Sequence, residues 1–465
     1  MAMEGQRRIR RLEDECPRAD DRLHQRLRDG DATSFARVPS AGLATTALKL
    51  RLSMGLVAIV SLGIILPLGA WVVGIAALLW LQAGLKLVGT ASPLPRPAPL
   101  AASDEDLPLY TVLVPLYREA NSVPGLLQSL RALDYPRECL RVLVLCEADD
   151  AATLEAVRRE MDGTIRLIVV PAGGPRTKPN ALCYALRRVR EGLITIYDAE
   201  DRPDPSQLRA AVAAFRADPA LVAVQAPLVV DNAAPGWITR QFALEYAALF
   251  FVWLPWLVRM RLPIPLGGTS NHVRVDALRR VGGWDAFNVT EDADLTYRLA
   301  LDPAARFGWI APPTSEEAVT SWRAWRRQRT RWMKGFLQTW LGHAFRGGGL
   351  RRGLSLQLAI GLTLLSGLLH LPVILALVAL SADGFGASLA SLVAALLGGA
   401  LYGSGVWVVA KGARRAGREL RLRDALTLPL YWLLLTIPTW IAVWELIVKP
   451  HHWSKTEHAV AARTR

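Results

Sequence analysis

Hydrophobic and polar positions divide the chain into three regimes. Residues 1 to about 50 are polar and Arg-rich, with no early apolar run behind a short basic start. A disordered tail is expected there, and no cleavable secretory signal. From Leu52 to Leu85 no charged residue occurs, and Pro67-Leu68-Gly69 interrupts the run near its middle. One long tilted span would fit, but two short spans of roughly 16 residues, near the lower limit for crossing, suit the Pro-Gly punctuation better. A transmembrane hairpin over 51–90 is therefore expected. The Pro-rich stretch Ser92–Leu100 then leads away from the apolar region.

From Tyr110 short β-branched runs alternate with helix-period segments. The pattern predicts strands at Thr111–Leu116, Val142–Glu147, Leu167–Pro171, Leu193–Asp198 and Leu221–Ala226. Apolar strands joined by helices imply an α/β domain with a mostly parallel sheet covered on both faces, spanning about 108–345. Gln241–Met260 is apolar and aromatic but broken by Glu245 and Pro255, which predicts a helix lying at a membrane surface, with a buried core helix as the alternative. Ser321–Phe336 reads as a helix both basic and Trp-rich. Beyond Gly347, apolar runs at Leu354–Leu380 and Leu389–Ala410 are long enough to span, and Lys411–Asp424 forms a basic inside loop. The last run, Ala425–Val448, carries Pro429 and Pro438. If it crosses, the basic tail 451–465 ends outside against the charge rule; a re-entrant or surface-lying segment would keep it inside.

Composition changes this picture little. The 465 residues are 52% hydrophobic with a formal charge of +14. The Arg clusters flank apolar runs, so the charge reads as membrane orientation, with the domain on the cytoplasmic side of a multi-pass inner-membrane protein, and not as nucleic-acid binding. The four cysteines, Cys16, Cys139, Cys146 and Cys183, lack metal-ligand spacing and suit reduced thiols.

Candidate chemistry clusters at strand ends, where parallel sheets bind ligands. Tyr117-Arg-Glu119, Glu147-Ala-Asp-Asp150 and Asp198-Ala-Glu-Asp201 follow three successive strands. Each alone could be a helix cap; three on one rim make a site the better reading. Leu266–Arg274 supplies small and hydrogen-bonding residues where backbone could approach a ligand, although a plain turn would explain its glycines equally well. Thr290-Glu-Asp-Ala-Asp294 resembles a capped helix start. Gln328, Arg331 and Trp332, at i, i+3 and i+4, put an amide, a guanidinium and an indole on one helix face. That set suits a diphosphate and a sugar ring. Moving a sugar from a nucleotide diphosphate to a hydroxyl needs a base, a cation and charge at the leaving group. Asp292 could be the base, Asp198 and Glu200 could hold a divalent metal, Arg331 and Gln328 could hold the diphosphate, and Lys178 could add charge near it.

Together, Val112–Ala120, Asp198-Ala-Glu200, Thr290-Glu-Asp292 and Gln328-Arg-Thr-Arg-Trp332 resemble the inverting family 2 glycosyltransferases of the cellulose-synthase-like branch, with its QxxRW signature. The resemblance covers about residues 108–345. It implies a cytoplasmic GT-A-type, Rossmann-like mixed-sheet domain set between transmembrane helices, using a UDP-sugar with Mg²⁺ or Mn²⁺ and giving a β-linkage. It assigns Asp292, Glu291 and Arg331 to catalysis. Pro115, Tyr117, Glu119, Glu147 or Asp149, Lys178, Asp198, Gln328 and Arg331 fall to the donor. Gly268, Thr269, Ser270, Asn271 and Trp332 border the acceptor, and Asp198 and Glu200 hold the metal. Glu200 and Glu147 depart from the usual aspartates. No regulatory segment of the cellulose synthase kind follows the last apolar run, so control by a bound nucleotide is not expected.

A growing β-linked polysaccharide, with or without export by the same chain, is the first acceptor expected. The alternatives are a single addition to a lipid, and a membrane scaffold that has lost catalysis, against which intact Asp198, Asp292 and Arg331 argue. With four or five crossings an export channel would be narrow or would need a partner chain.

Overall fold

The computed structural model describes residues 68–98, 104, 106–172, 177–233, 236–382 and 389–449. The basic tail, Cys16, the apolar residues before Leu68 and the tail 451–465 lie outside these. Within the described residues the apolar run is one helix, α1 (Leu68–Ala91), which runs past Leu85. Its length of 24 residues exceeds the short span expected of this half.

The domain follows as β1 (Tyr110–Leu116), α2 (Val123–Arg131), β2 (Leu140–Glu147), α3 (Ala151–Glu160), β3 (Ile165–Val170), α4 (Lys178–Leu186), β4 (Leu193–Ile196) and β5 (Arg202–Pro203). Next come α5 (Gln207–Ala217), β6 (Leu221–Gln225), β7 (Leu228–Val230) and a continuous helix α6 (Trp237–Arg259) with one π segment, Leu249–Trp253. Then β8 (Asn271–Arg274), α7 (Val275–Arg280), α8 (Glu291–Leu299), β9 (Arg306–Trp309), β10 (Thr314–Glu316) and α9 (Trp322–His343) complete it. A helix α10 from Gly349 to Ala382, α11 (Leu389–Arg415), α12 (Leu422–Leu434) and α13 (Thr436–Val448) close the described chain.

The main sheet has seven strands in the order β3-β2-β1-β4-β8-β6-β9. Strands β1 to β4 run parallel, β8 is antiparallel to both neighbours, and β9 is again parallel to β6. A second sheet, β5-β10-β7, lies beside it. Strand periodicity sorts the side chains: Tyr110, Val112 and Val114 pack against α2, α3 and α5, while Leu113 and its neighbours Leu143 and Ile194 face α4, α6 and α7. Both faces are thus covered, and only the strand ends remain to meet a ligand.

Helix α6 corrects the expectation of a surface-lying segment. Phe242, Trp253 and Trp256 are buried in the main core, and the helix lies between the sheet domain and the apolar helices. The junction is tight. A Cβ on Gly412 of α11 would stand 2.6 Å from the Ala247 carbonyl oxygen, so the two backbones touch. Arg415 donates to the carbonyls of Phe251 at 2.9 Å and Thr90 at 3.0 Å, fastening the end of α11 to the interior of α6 and the end of α1.

Among the described residues, Val73–Ala91, Trp237–Arg259, Gly349–Pro372 and Leu422–Val448 are long and apolar enough to cross a membrane. The last of these breaks at Leu435, where Pro438 cannot donate to the preceding turn. Its two halves follow α9: Trp325 Nε1 donates to Tyr431 Oη at 2.9 Å and Lys334 Nζ to Glu445 Oε2 at 3.0 Å. Leu426, Leu430, Trp440, Trp444 and Ile447 point away from the protein as an exposed apolar stripe.

Gly335 lets α9 lie directly on the start of α8, because a methyl group there would run into the Cβ, Oγ1 and Cγ2 of Thr290. Gly335→Ala gains about 1 kcal/mol of helix propensity. Overpacking costs about 1–3 kcal/mol, and with the Thr290 Cβ itself in the way the cost wins. The variant is expected to unfold at a lower temperature in detergent micelles; an unchanged or raised midpoint would contradict this close contact.

Candidate active site

A cavity of about 550 Å³ opens where the carboxyl ends of β1, β2 and β4 face α8 and α9. Pro115, Tyr117, Glu119, Glu147, Lys178, Asp198, Glu200, Gly268, Thr269, Glu291, Asp292, Gln328, Arg331 and Trp332 all line it. The segments singled out in the sequence, from Pro115 to Trp332, therefore converge on one volume.

Three of the expected residues do not reach it. Asp149 is exposed and stands outside the cavity lining, because β2 ends at Glu147 and the chain has already turned into α3. Ser270 is fully buried with φ of 55°, and its hydroxyl donates to Thr314 Oγ1 at 2.6 Å. Asn271 is buried and donates to the Gly267 carbonyl at 2.6 Å. Both hold the loop in shape and are unavailable to an acceptor. Thr269 borders the cavity, but its hydroxyl is committed to Asp201.

The acids divide by environment. Asp150 caps α3, its Oδ1 accepting from Thr153 N at 3.3 Å. Asp294 is tied to Arg298 at 2.6 Å and His343 at 2.8 Å, which holds its carboxyl below the usual range despite burial. Asp201 is fully buried and accepts from the backbone N–H of Asp198 at 2.6 Å; burial and then the charges of Asp198 and Glu200 push its carboxyl well up. These three shape the rim.

Glu291 and Asp292 sit in the first turn of α8. Asp292 Oδ1 accepts from Ala293 N at 2.8 Å, while Oδ2 faces Gly268, where a Cβ would come within 3.4 Å. Burial raises the Asp292 carboxyl, and burial together with the Asp292 charge pushes Glu291 up to about 7.

Lys178, the first residue of α4, donates to Asp198 Oδ1 and to the Gly268 carbonyl at 2.8 Å. Burial opposes its charge, but Asp198 and Glu291 outweigh this and raise it. An ammonium thus already lies against one of the two carboxylates at the end of β4, so this corner is chemically suited to a cation. Among the described residues no three His, Cys, Asp or Glu side chains are gathered to hold a metal unaided. Two hard oxygen ligands completed by phosphate oxygens is the arrangement Mg²⁺ favours.

On α9, which Ser321 caps by accepting from Ala324 N at 3.2 Å, Gln328 is buried with its Oε1 unpartnered. An orphaned buried acceptor in a cavity wall calls for a donor from a ligand. Trp332 stacks on Tyr246, ring centres 6.3 Å apart, with the Arg329 guanidinium 4.4 Å from its own ring centre. The indole is therefore a fixed platform. Sequence reasoning missed Glu316, Glu245 and Lys86, which also line the cavity. The last two were visible only as lone charges at the edge of, or within, apolar segments.

A mixed sheet of this order, with paired carboxylates at a strand end opening on a cavity, defines a GT-A-type glycosyltransferase. The chain belongs to the Glycosyl transferase family group 2, whose pattern it matches over residues 193–443, and residues 111–272 match Glycosyl transferase family 2. It is 28% identical over 241 residues to the probable glycosyltransferase YdaM of Bacillus subtilis, covering 50% of this chain and 56% of that one. It is 28% identical over 282 residues to the beta-monoglucosyldiacylglycerol synthase of Synechocystis, covering 59% and 58%. Similarity to glucomannan 4-beta-mannosyltransferase 7 of Arabidopsis thaliana is 26% over 239 residues, covering 49% and 42%. The chain thus spans about half the length of the curated relatives it matches. The mannosyltransferase PcManGT of Pyrobaculum calidifontis, solved with GDP-Man and Mn²⁺, superposes with a TM-score of 0.59 at 22% identity, covering 83% of this chain and 100% of that one. At that identity the likeness speaks for the fold.

The raised Glu291 carboxyl makes stability depend on pH. The unfolded group loses its proton near 4.5 and the folded one near 7, so its contribution is full below 4.5 and is lost as pH rises through 7. Thermal unfolding in micelles should show the wild type losing stability across this window relative to Glu291→Gln. Parallel curves for the two proteins would contradict the burial argument.

Proposed function

We propose that the protein transfers one sugar from a nucleotide diphosphate donor to the hydroxyl of a membrane lipid, with inversion at the anomeric carbon. The observation that carries this reading is the extent of the cavity. Beyond Asp292 and Trp332 it is also lined by Leu79 and Ala83 of α1, Ser366 and His370 of α10, Leu401 and Tyr402 of α11, and Trp432 of α12. A donor site opening between apolar helices suits an acceptor that arrives from the bilayer. That two of the relatives named above are a glycolipid synthase and a β-mannosyltransferase is compatible with either a lipid or a glycan acceptor.

In this reading the acceptor oxygen attacks the anomeric carbon from the face opposite the diphosphate, and the bond to the departing phosphate oxygen breaks. Asp292 takes the hydroxyl proton, its raised basicity suiting it to that task. Arg331 and the amide nitrogen of Gln328 hold the diphosphate, the unpartnered Gln328 Oε1 accepts from a sugar hydroxyl, Trp332 stacks on the sugar, and Glu147 and Tyr117 border the base of the nucleotide. Asp198 and Glu200 would hold Mg²⁺ or Mn²⁺, which supplies charge neutralisation at the leaving diphosphate. Lys178 keeps Asp198 in place and keeps its charge compensated between turnovers. The basic residues Arg415 and Arg418 at the domain-side ends of the apolar helices favour a cytoplasmic domain by the positive-inside rule.

A glycan acceptor is favoured by a different feature. Tyr402 and Trp432 stack at 6.1 Å with planes 12° apart and line the same cavity, as a path for sugar rings would require.

Purified protein given radiolabelled UDP-glucose, UDP-N-acetylglucosamine or GDP-mannose with Mn²⁺ and membrane lipids should give product extractable into organic solvent. High-mass, water-retained product would establish the glycan reading instead. Asp292→Asn should lower transfer by about 10²- to 10⁴-fold while leaving nucleotide affinity largely intact, and turnover unchanged in that variant would remove it as the base. Asp198→Ala should weaken nucleotide binding only when the divalent cation is present. Calorimetric titration with and without Mn²⁺ checks this, and an affinity indifferent to both metal and substitution would count against the metal pair.

A further inference from the structure

One cation in the cavity wall has no part in the reaction described above. Lys86 lies on α1, five residues before the helix ends at Ala91, and lines the same cavity as Asp292 and Trp332. Its ammonium stands 5.9 Å from the centre of the Trp253 ring. Among the described residues it makes no hydrogen bond and no ion pair. The acid that it couples to through space, Glu245, is already committed. Glu245 takes two bonds from Arg329, at 2.9 and 2.6 Å, and one from the Tyr431 hydroxyl at 2.7 Å.

Lys86 is therefore an ammonium without a bonded counterion in the cavity wall, because the nearest carboxylate is already taken by Arg329 and Tyr431. An unpaired cation facing a cavity between apolar helices calls for an acceptor from a ligand. Gln82, one turn earlier on the same face of α1, lines the cavity as well and offers amide donors beside the ammonium. Five residues of helix place Lys86 about 7 Å before the end of α1.

We propose that Lys86 and Gln82 bind the phosphate of an anionic phospholipid acceptor, so that a hydroxyl of its head group reaches Asp292. This rests on the lipid-acceptor reading and narrows it. The phosphate is a recognition group: it forms and breaks no bond, while the head-group hydroxyl gives its proton to Asp292 and its oxygen to the sugar. A polyprenyl phosphate, which would attack through the phosphate oxygen, would leave that base idle. A neutral diacylglycerol would leave Lys86 unbalanced.

The test uses the full chain in mixed micelles, with dioleoylphosphatidylglycerol, dioleoylglycerol or a polyprenyl phosphate titrated by mole fraction against the donor panel and Mn²⁺. The wild type should use phosphatidylglycerol in preference to diacylglycerol. Lys86→Gln should raise the KM for phosphatidylglycerol about tenfold or more, with a much smaller change in kcat, and Lys86→Arg should restore it. Thermal unfolding of both variants separates this from loss of fold, and the wild-type preference stands as a test without them. Equal use of diacylglycerol, exclusive use of the polyprenyl phosphate, or an unchanged KM in Lys86→Gln would each overturn the phosphate site and leave the lipid acceptor standing. Formation of a high-mass glycan with no lipid product would overturn the lipid reading itself.

Discussion

The arrangement depends on the buried contact between Arg329 and Glu245. Arg329 is only 3% exposed and grips the carboxylate through both terminal nitrogens, while Tyr431 and, through it, Trp325 join the same cluster. Three helices meet there: α9, the core helix α6 and the first half of the kinked last segment. Desolvating both charges is expensive, and the fork geometry with additional hydrogen bonds offsets it. The residues of α9 that face the cavity, Gln328, Arg331 and Trp332, flank Arg329 within one turn, so the pair fixes their direction. Gly335 then seats the next turn of α9 on Thr290, which sets the distance between the guanidinium and the acids of α8.

Much of the domain was legible in the sequence because strands buried on both faces leave a strong β-branched signature. All five anticipated strands appear within a few residues of their expected ends. The antiparallel β8 was not anticipated: Asn271–Arg274 is four residues long, lies next to a glycine pair, and owes its strand character to its neighbours β4 and β6. Helix α6 was read as surface-lying because aromatic composition is the same for a membrane-surface helix and a core helix. Only the helices packed on it decide between them.

The site was legible in type more than in aim. Asp198, Asp292 and Arg331 line one volume because strand ends and helix starts are fixed by the sheet. Spacing could not tell that Asp149 turns outward, or that the left-handed backbone at Ser270 rotates its hydroxyl and the Asn271 amide into the loop. A rotation of one residue moves a side chain to the opposite face, and no local pattern encodes it. Lys86 marks the converse case. The first charge after a long uncharged run was plain in the chain, yet its neighbours, Trp253 and Glu245, are contributed by a helix some 160 positions later.

The backbone contact at Gly412 and Ala247, with Arg415 fastening the neighbouring helix ends, leaves no hinge between the sheet and the apolar bundle at this seam. Under the proposed function, the acids of α8 ride at a constant height over the lipid surface. Selection among acceptors is then a matter of length: a molecule qualifies when its nucleophile extends just far enough from its anchored end, so the fold would work as a ruler.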